Sequence, residues 1–345
     1  MTGAATGDPL RVAGIGAGYF SQFHYDAWKA MSGAELLAVA DRDLGKAAQV
    51  GVTAFDDVDA MLREVAPDIV DIVTPPETHL DMIRSALGRS VKAIICQKPF
   101  CGELAQAEQA TALAEAAGVP LIVHENFRFQ PWYRILQREM AAGRIGDVLQ
   151  VTFRLRPGDG QGPEAYLDRQ PYFQQMPRFL VHETAVHWID TFRFLLGEPD
   201  EVYADLRRLN PNIRGEDAGY FIYGYRDGRR ALFDGNRLLD HAAENQRRTM
   251  GECFVEGTEG EMRLLGDGSL SFRARRALAW ESLAPPPDAA GFGGGCVAAL
   301  QAHVVAALLE GTPLENTARS YLRNIRIELA LYDSAESGQR TDIGP

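Results

Sequence analysis

Cysteine is scarce in this chain, with four in 345 residues, and only Cys96 and Cys101 lie near each other. No Cys-x-x-Cys pair occurs, so neither a disulfide framework nor a zinc knot is indicated, and reduced thiols in a cytoplasm are expected. Basic residues are outnumbered too: 35 Lys and Arg against 47 Asp and Glu leave a net charge of −12. That balance argues against nucleic acid or an anionic membrane as a main partner, because phosphate binding needs a positive face. The local trio Arg273, Arg275 and Arg276 reads as a solvated hairpin edge. The opening residues carry no basic stretch followed by an apolar core, so no secretory signal is expected. No apolar run approaches the length of a membrane span, and no internal repeat is visible.

What is present is ordinary globular composition, 46% apolar and 24% charged, in a chain long enough for two domains. Residues 8–125 alternate β-like and helical runs: Leu10–Ile15, Phe20–Met31, Leu36–Ala40, an amphipathic segment from Leu44, Ile69–Val73, Thr78–Leu87, Ala93–Cys96, Leu104–Ala117 and Leu121–Val123. Such alternation, with strands apolar throughout, predicts βαβ units, hence a doubly wound parallel sheet of the Rossmann type. Residues 126–345 differ. A helix at Trp132–Ala142, a strand at Val148–Leu155, a Gly/Pro/Gln-rich loop at Pro157–Pro177 and a helix at Phe179–Leu196 come first. Six β-like runs between Val202 and Phe272 follow with no helix among them, predicting an α+β domain on a mostly antiparallel open sheet. The segment 284–287 and the glycines of 291–295 read as a surface connection, and helices at Val297–Leu309 and Ala318–Ser337 finish the chain.

The first strand and helix are joined by Gly14-Ile15-Gly16-Ala17-Gly18-Tyr19-Phe20-Ser21. Read as G-x-G-x-x-G/A, Gly16 makes the turn, Gly18 lets backbone approach a pyrophosphate, and Ser21 fills the small third position. The helix N-terminus adds N–H groups and positive partial charge for the phosphates. Asp41 follows the second strand at the separation expected of an acid that holds ribose hydroxyls. Its charge favours NAD. Arg42 beside it would accommodate a 2′-phosphate, so NADP stays open. Further on, Ile94-Ile95-Cys96-Gln97-Lys98-Pro99 ends an apolar run in a lysine. Ligands bind at the carboxyl ends of strands in open parallel sheets, which would aim Lys98 into a site; a lysine at a solvated strand end is the competing reading.

Leu180 to Asp190 opens the long helix of the second domain, where Glu183 and His187, four apart, would share one face, with Asp190 near it. A carboxylate beside an imidazole suits a general base, and an equally good reading is a buried His–Asp pair. His182 and His187 are five apart, about 140° around an α-helix, unlike the histidines of a helical metalloprotease. Together with Glu183 and a residue such as His124 they could still form a metal site if His182 precedes the helix; otherwise no metal is expected.

These residues resemble the Gfo/Idh/MocA family (glucose–fructose oxidoreductase, inositol dehydrogenase and rhizopine-catabolism proteins) from about residue 10 to 340. The resemblance is carried by Gly16-x-Gly18 with Asp41, Thr74-Pro75-Pro76 with His79, Gln97-Lys98-Pro99, Arg128-x-x-Pro131 and Glu183-x-x-x-His187-x-x-Asp190. It implies an NAD(P)-dependent dehydrogenase acting on a secondary alcohol of a sugar, sugar acid or cyclic polyol, and assembly through the open sheet face as a dimer or tetramer. It further implies catalytic roles for Lys98, His187 and Glu183. Cofactor contacts are implied from Gly16, Gly18, Tyr19, Phe20, Ser21, Asp41, Arg42, Thr74, Pro75, Pro76, His79, Gln97 and Lys98.

The sequence departs from the family pattern at Gln97, where Glu is usual, at Glu183 for Asp, at Ala185 for Gly, and in the extra His182. Those departures keep two alternatives open: a lyase or hydrolase on a glycoside using NAD transiently or a metal, and a non-enzymatic dinucleotide sensor. For substrate contacts the candidates are Arg128, Arg154, Arg156, Tyr166, Arg169, Tyr172, Glu183, His187, Asn236 and Arg237. Arginines near the 154–178 loop would suit an acidic sugar, or would form ion pairs.

Overall fold

A computed structural model describes residues 8–287 and 292–344 and divides them into two compact units. The first holds a parallel sheet whose strands β1 (Leu10–Ile15), β2 (Ala34–Ala40), β3 (Thr53–Phe55), β4 (Ile69–Ile72), β5 (Ala93–Gln97) and β6 (Leu121–His124) run in the order β3-β2-β1-β4-β5-β6. This is the doubly wound arrangement expected from the βαβ alternation, and β4, β5 and β6 are buried along their whole length. Helices α1 (Ser21–Ala30), α2 (Leu44–Gln49), α3 (Val58–Val65), α4 (His79–Leu87) and α5 (Leu104–Ala117) connect the strands. Local capping explains several boundaries. The Asp43 carboxylate accepts from the N–H groups of Gly45 and Lys46, and Asp57 accepts from Ala60 at 2.6 Å, each satisfying orphan donors at a helix start. Strand β3 and helix α3 escape the sequence reading; three strand residues are too few to show a period, whereas Met61, Leu62 and Val65 do mark one face of α3.

The same unit also takes Val297–Arg323, so the continuous division at 125/126 expected from the sequence is interrupted by a late return. Helix α8 (Cys296–Glu310) supplies most of it, followed by the first turns of α9 (Ala318–Ser337). Of the glycine cluster expected to form a surface connection before α8, Gly291 lies outside the described residues, and Phe292–Gly295 turns through left-handed backbone at Gly293 (φ 54°) and Gly294 (φ 66°). Contrary to expectation, Phe292–Glu310 is long and apolar enough, at a mean hydropathy of 1.7, to cross a membrane by composition. Packing gives the apolar face another reason. Val297, Leu300 and Val304 are buried, and the Gln301 amide donates to the His24 carbonyl at 3.2 Å.

The second unit is built on nine strands in the order β14-β13-β12-β11-β7-β10-β9-β8-β15. Central β7 (Val148–Leu155) pairs parallel with β10 (Arg230–Asn236) and antiparallel with β11 (Gly251–Gly257). Strands β8 (Glu201–Arg207), β9 (Ala218–Gly224), β12 (Gly260–Leu264), β13 (Leu270–Ala274), β14 (Glu281–Ala284) and β15 (Thr341–Asp342) extend it antiparallel on both sides. Period-two alternation turns Val151, Phe153 and Leu155 inward. Onto that face pack α6 (Pro131–Ala141) and α7 (Val186–Leu196): Trp188 stacks on Phe153 at 4.1 Å, and its indole N–H donates to the Tyr133 hydroxyl at 2.9 Å. The opposite face shows exposed Leu149 and Tyr220, whose ring lies 6.3 Å from that of Tyr203.

Candidate active site

In the first unit Gly16 has φ +99°, and a Cβ there would sit 2.6 Å from the Val73 carbonyl oxygen, so the turn excludes any side chain. Its amide donates to the Ala40 carbonyl at 2.8 Å, and the next amide, Ala17, donates to Asp41 Oδ2 at 2.7 Å. Asp41 Oδ1 accepts from the Asp43 amide at 2.9 Å. Asp41 therefore ties the glycine loop to the end of β2, and each of its oxygens keeps a second lone pair for a ribose hydroxyl. Gly18 lies in the open, with no atom within 4 Å of where a Cβ would stand, and its carbonyl accepts from the Ser21 hydroxyl at 2.7 Å. Helix α1 starts with no side chain capping its N-terminal amides. Tyr19 and Phe20 flank this turn, both against Phe23, and Arg42 is exposed beside Asp41.

Thr74, Pro75 and Pro76 follow β4, closed by the Thr78 hydroxyl, 2.8 Å from both the Thr74 hydroxyl and the Pro75 carbonyl. Buried His79 joins this turn to the one after β5. Its Nδ1 accepts from the Cys101 amide at 3.4 Å, so Nε2 carries the proton and donates to the Thr74 carbonyl at 2.8 Å. Burial pushes the imidazole down to about 4 from an ordinary 6.5, outweighing the Thr74 bond and the Glu77 charge, which raise it.

The folded pKa lies below the unfolded one, so the His79 contribution to stability is intact above pH 6.5 and is lost as pH falls toward 4, by about 3 kcal/mol. Urea titrations at steps from pH 7 to pH 4 should show a steeper loss for the native chain than for His79→Asn. Parallel slopes would contradict this account.

Lys98 is half-buried at the end of β5, and its backbone amide donates to Gln97 Oε1 at 2.7 Å.

In the second unit the expected helix Phe179–Leu196 divides: Leu180–Ala185 is wound as a π-helix before α7 begins at Val186. One oxygen of Glu216 holds its entrance, accepting from the Phe179 and Val181 amides at 3.1 Å each and from the Tyr332 hydroxyl at 2.6 Å. Wider winding of this sort is frequent at functional sites. It carries Glu183 and leads into His187, whose ring lies flat on Phe127 at 3.8 Å with an interplanar angle of 5°. His182 turns to Glu328, with Nδ1 2.6 Å from Oε1. Among the described residues no three His, Cys, Asp or Glu side chains stand together as metal ligands.

Asp190 is committed to an arginine. It binds Arg128 in bidentate fashion, Nε–Oδ2 and Nη2–Oδ1 both 2.7 Å, and accepts from the Asn324 amide at 3.0 Å. The other arginines named as substrate candidates meet carboxylates as well. Arg154 reaches Glu252 at 3.7 Å, Arg156 reaches Asp234 at 2.5 Å, and Arg169 and Arg237 reach Asp159 at 3.2 and 2.8 Å. Burial alone would raise Asp159, but Arg237 and then Arg169 hold its carboxyl below the usual carboxylate range. Fully buried Arg237 also donates to the Tyr166 hydroxyl at 2.8 Å and stacks on Phe179. Tyr166 has φ 71°, and Asn236 closes a local turn by accepting from the Leu238 amide at 2.9 Å. Tyr172 is exposed, with its hydroxyl accepting from Gln170 at 2.9 Å.

Residues 10–125 match the oxidoreductase family with an NAD-binding Rossmann fold (GFO_IDH_MocA), and residues 133–263 match the GFO/IDH/MocA C-terminal domain. The chain belongs to the Gfo/Idh/MocA oxidoreductases. It is 33% identical over 341 residues to a D-apiose dehydrogenase of Paraburkholderia graminis, covering 95% of this chain and 88% of that one. A D-apiose dehydrogenase of Rhizobium rhizogenes is 28% identical over 355 residues, covering 97% and 98%. Among solved structures, an oxidoreductase from Agrobacterium radiobacter in complex with NAD+, L-tartaric acid and magnesium superimposes with a TM-score of 0.87 at 27% identity, covering 97% and 98% of the two chains.

As a Gfo/Idh/MocA member this chain is an NAD-using oxidoreductase. The loop fits the dinucleotide: side-chain-free Gly16 and Gly18, an uncapped helix start and the Asp41 acceptors are what a pyrophosphate and a ribose need. The sequence reading misses two residues of the same unit, His24 and Asp71. Both are fully buried, with His24 Nδ1 2.9 Å from Asp71 Oδ2 and His24 Nε2 3.1 Å from Gln97 Nε2. The available signal is an aspartate in the middle of the otherwise apolar run Ile69-Val70-Asp71-Ile72-Val73, since a buried carboxylate must find partners.

Proposed function

We propose that the protein oxidises a CH–OH carbon of a neutral sugar or polyol, in the class of D-apiose, with NAD. The observation that carries the neutral assignment is the engagement of Arg128, Arg154, Arg156, Arg169 and Arg237 with carboxylates of the chain itself. A site meant for a carboxylate-bearing sugar would instead keep a guanidinium fork aimed at substrate. Similarity to two D-apiose dehydrogenases along nearly the whole chain supports the same class.

When bound, NAD supplies the hydride acceptor. His187 takes the proton from the reacting hydroxyl as general base. The Lys98 ammonium stabilises the negative charge that develops on that oxygen, where a fixed cation in a dry site acts most strongly. Glu183, four residues before His187, positions the imidazole or a neighbouring hydroxyl. The protein is proposed to work in the cytoplasm as a dimer or tetramer joined through the open face of the sheet that displays Leu149 and Tyr220.

A second reading, a sugar acid, is favoured by the L-tartaric acid named with the Agrobacterium structure. A screen following NADH absorbance across D-apiose, other aldoses, inositols, uronates and tartrate decides between them. Stoichiometric NADH from a neutral sugar is the expected result. NADH from the acids alone would overturn the neutral assignment. Turnover of a glycoside without net NADH would instead reveal a lyase or hydrolase, and NAD binding without any turnover a sensor.

A further inference from the structure

The proton and hydride steps proposed above leave His24 and Asp71 unused, yet with Gln97 they form a continuous buried chain that ends on the Lys98 backbone. Asp71 sits mid-strand in β4 and receives the Trp28 indole N–H at 2.7 Å and the Gln301 amide at 3.5 Å, both on Oδ2. The chain then runs from Asp71 to His24 Nδ1 at 2.9 Å, from His24 Nε2 to Gln97 Nε2 at 3.1 Å, and from Gln97 Oε1 to the Lys98 amide at 2.7 Å. We propose that this chain is a one-way hydrogen-bond relay. Asp71 fixes His24 as the neutral Nδ1–H tautomer, His24 fixes the Gln97 amide, and Gln97 fixes Lys98 through its backbone.

The direction follows from the donor and acceptor inventory. An ionised carboxylate accepts only, so His24 Nδ1 must carry a proton. Neutral His24 then offers a lone pair at Nε2, which the Gln97 NH₂ fills, and the Gln97 carbonyl oxygen is left for the Lys98 N–H. With the other tautomer, His24 Nε2–H would demand the Gln97 oxygen. The amide would turn over and set its NH₂ against the Lys98 N–H, donor against donor, leaving a buried group unmade. The His124 ring lies 3.9 Å from the His24 ring, and Tyr25 and Cys96 are pushed upward, by burial first and then by neighbouring charge including that of Asp71, and stay neutral.

The amide at position 97 also sets the proton count. With Gln97 the three side chains carry −1, from Asp71 alone. In Gln97→Glu the new carboxylate would accept from Lys98 N–H and from His24 Nε2–H together, which requires an imidazolium. The two carboxylates and the imidazolium would then also sum to −1, with one more proton bound.

The test is two-bond ¹⁵N–¹H correlation on the full-length protein labelled at histidine, at pH 7 without NAD, with His24 assigned by its loss in His24→Gln. Native protein is expected to show His24 as neutral Nδ1–H, and Gln97→Glu, nearly isosteric, to show it as imidazolium. An Nε2–H or charged His24 in native protein, or a neutral one in Gln97→Glu, overturns the relay. Asp71→Asn, which frees the tautomer, should lower kcat about tenfold, the worth of one hydrogen bond, while NAD affinity holds. An unchanged kcat there removes the positioning role. The effect on turnover rests on the reading of Lys98 given above, whereas the NMR signature does not: undiminished turnover in Lys98→Ala would sink that reading and leave the tautomer result standing.

Discussion

His187→Asn is expected to lower kcat by about two to four orders of magnitude, the range lost with a general base, while the dissociation constant for NAD stays nearly unchanged. The imidazole is 8% exposed and held flat against Phe127, so it is pre-oriented and reaches solvent along only a small part of its surface. Asparagine keeps polarity and approximate length but cannot take up the proton. The residues proposed to hold the dinucleotide, Gly16, Gly18, Ser21 and Asp41, are all in the first unit and untouched by the change. Steady-state kinetics on the best sugar, with NAD titrated by protein fluorescence, separates the two quantities. Turnover equal to that of the native protein would remove His187 from the mechanism.

The second large effect concerns stability. Asp190→Ala is expected to cost about 3–5 kcal/mol, the penalty for leaving one member of a buried ion pair uncompensated. Asp190 is fully buried and Arg128 nearly so, with both bonds at 2.7 Å. Asn324 loses its acceptor at the same time. Equilibrium urea unfolding without NAD reads the difference. Replacing Arg128 and Asp190 together, by Met and Leu, should recover part of the loss, because the remaining charge disappears. A cost below about 1 kcal/mol for the single change would mean that the pair is far better solvated than its burial indicates.

The contrast between these residues shows how far the sequence can be read. Gly16, Gly18 and Asp41 are tied by short-range turn chemistry, and their spacing announces the loop. The parallel sheet is equally legible, because strands buried on both faces leave unbroken apolar runs. Ion-pair partners are not: Arg128 and Asp190 are 62 residues apart, and Arg237 and Asp159 are 78 apart, so nothing local joins them. The arginines around 154–178 thus look available for an acidic substrate until each is seen against a carboxylate. Winding is hidden for another reason. Leu180–Ala185 runs straight into the α-helix with no proline or glycine to mark a change of winding, and the side chain that holds its entrance, Glu216, lies well beyond the helix in sequence.

The late return of Val297–Arg323 bears on how the molecule is made. That segment gives the first unit Gln301, which donates to the His24 carbonyl, and Asn316, whose amide nitrogen donates to Glu125 and whose carbonyl accepts from Val123. The contacts that Gln301 and Asn316 give the first unit therefore become available only after all the strands from Val148 to Ala284 have been synthesised. The unit that starts first along the chain is thus the one whose last residues arrive late.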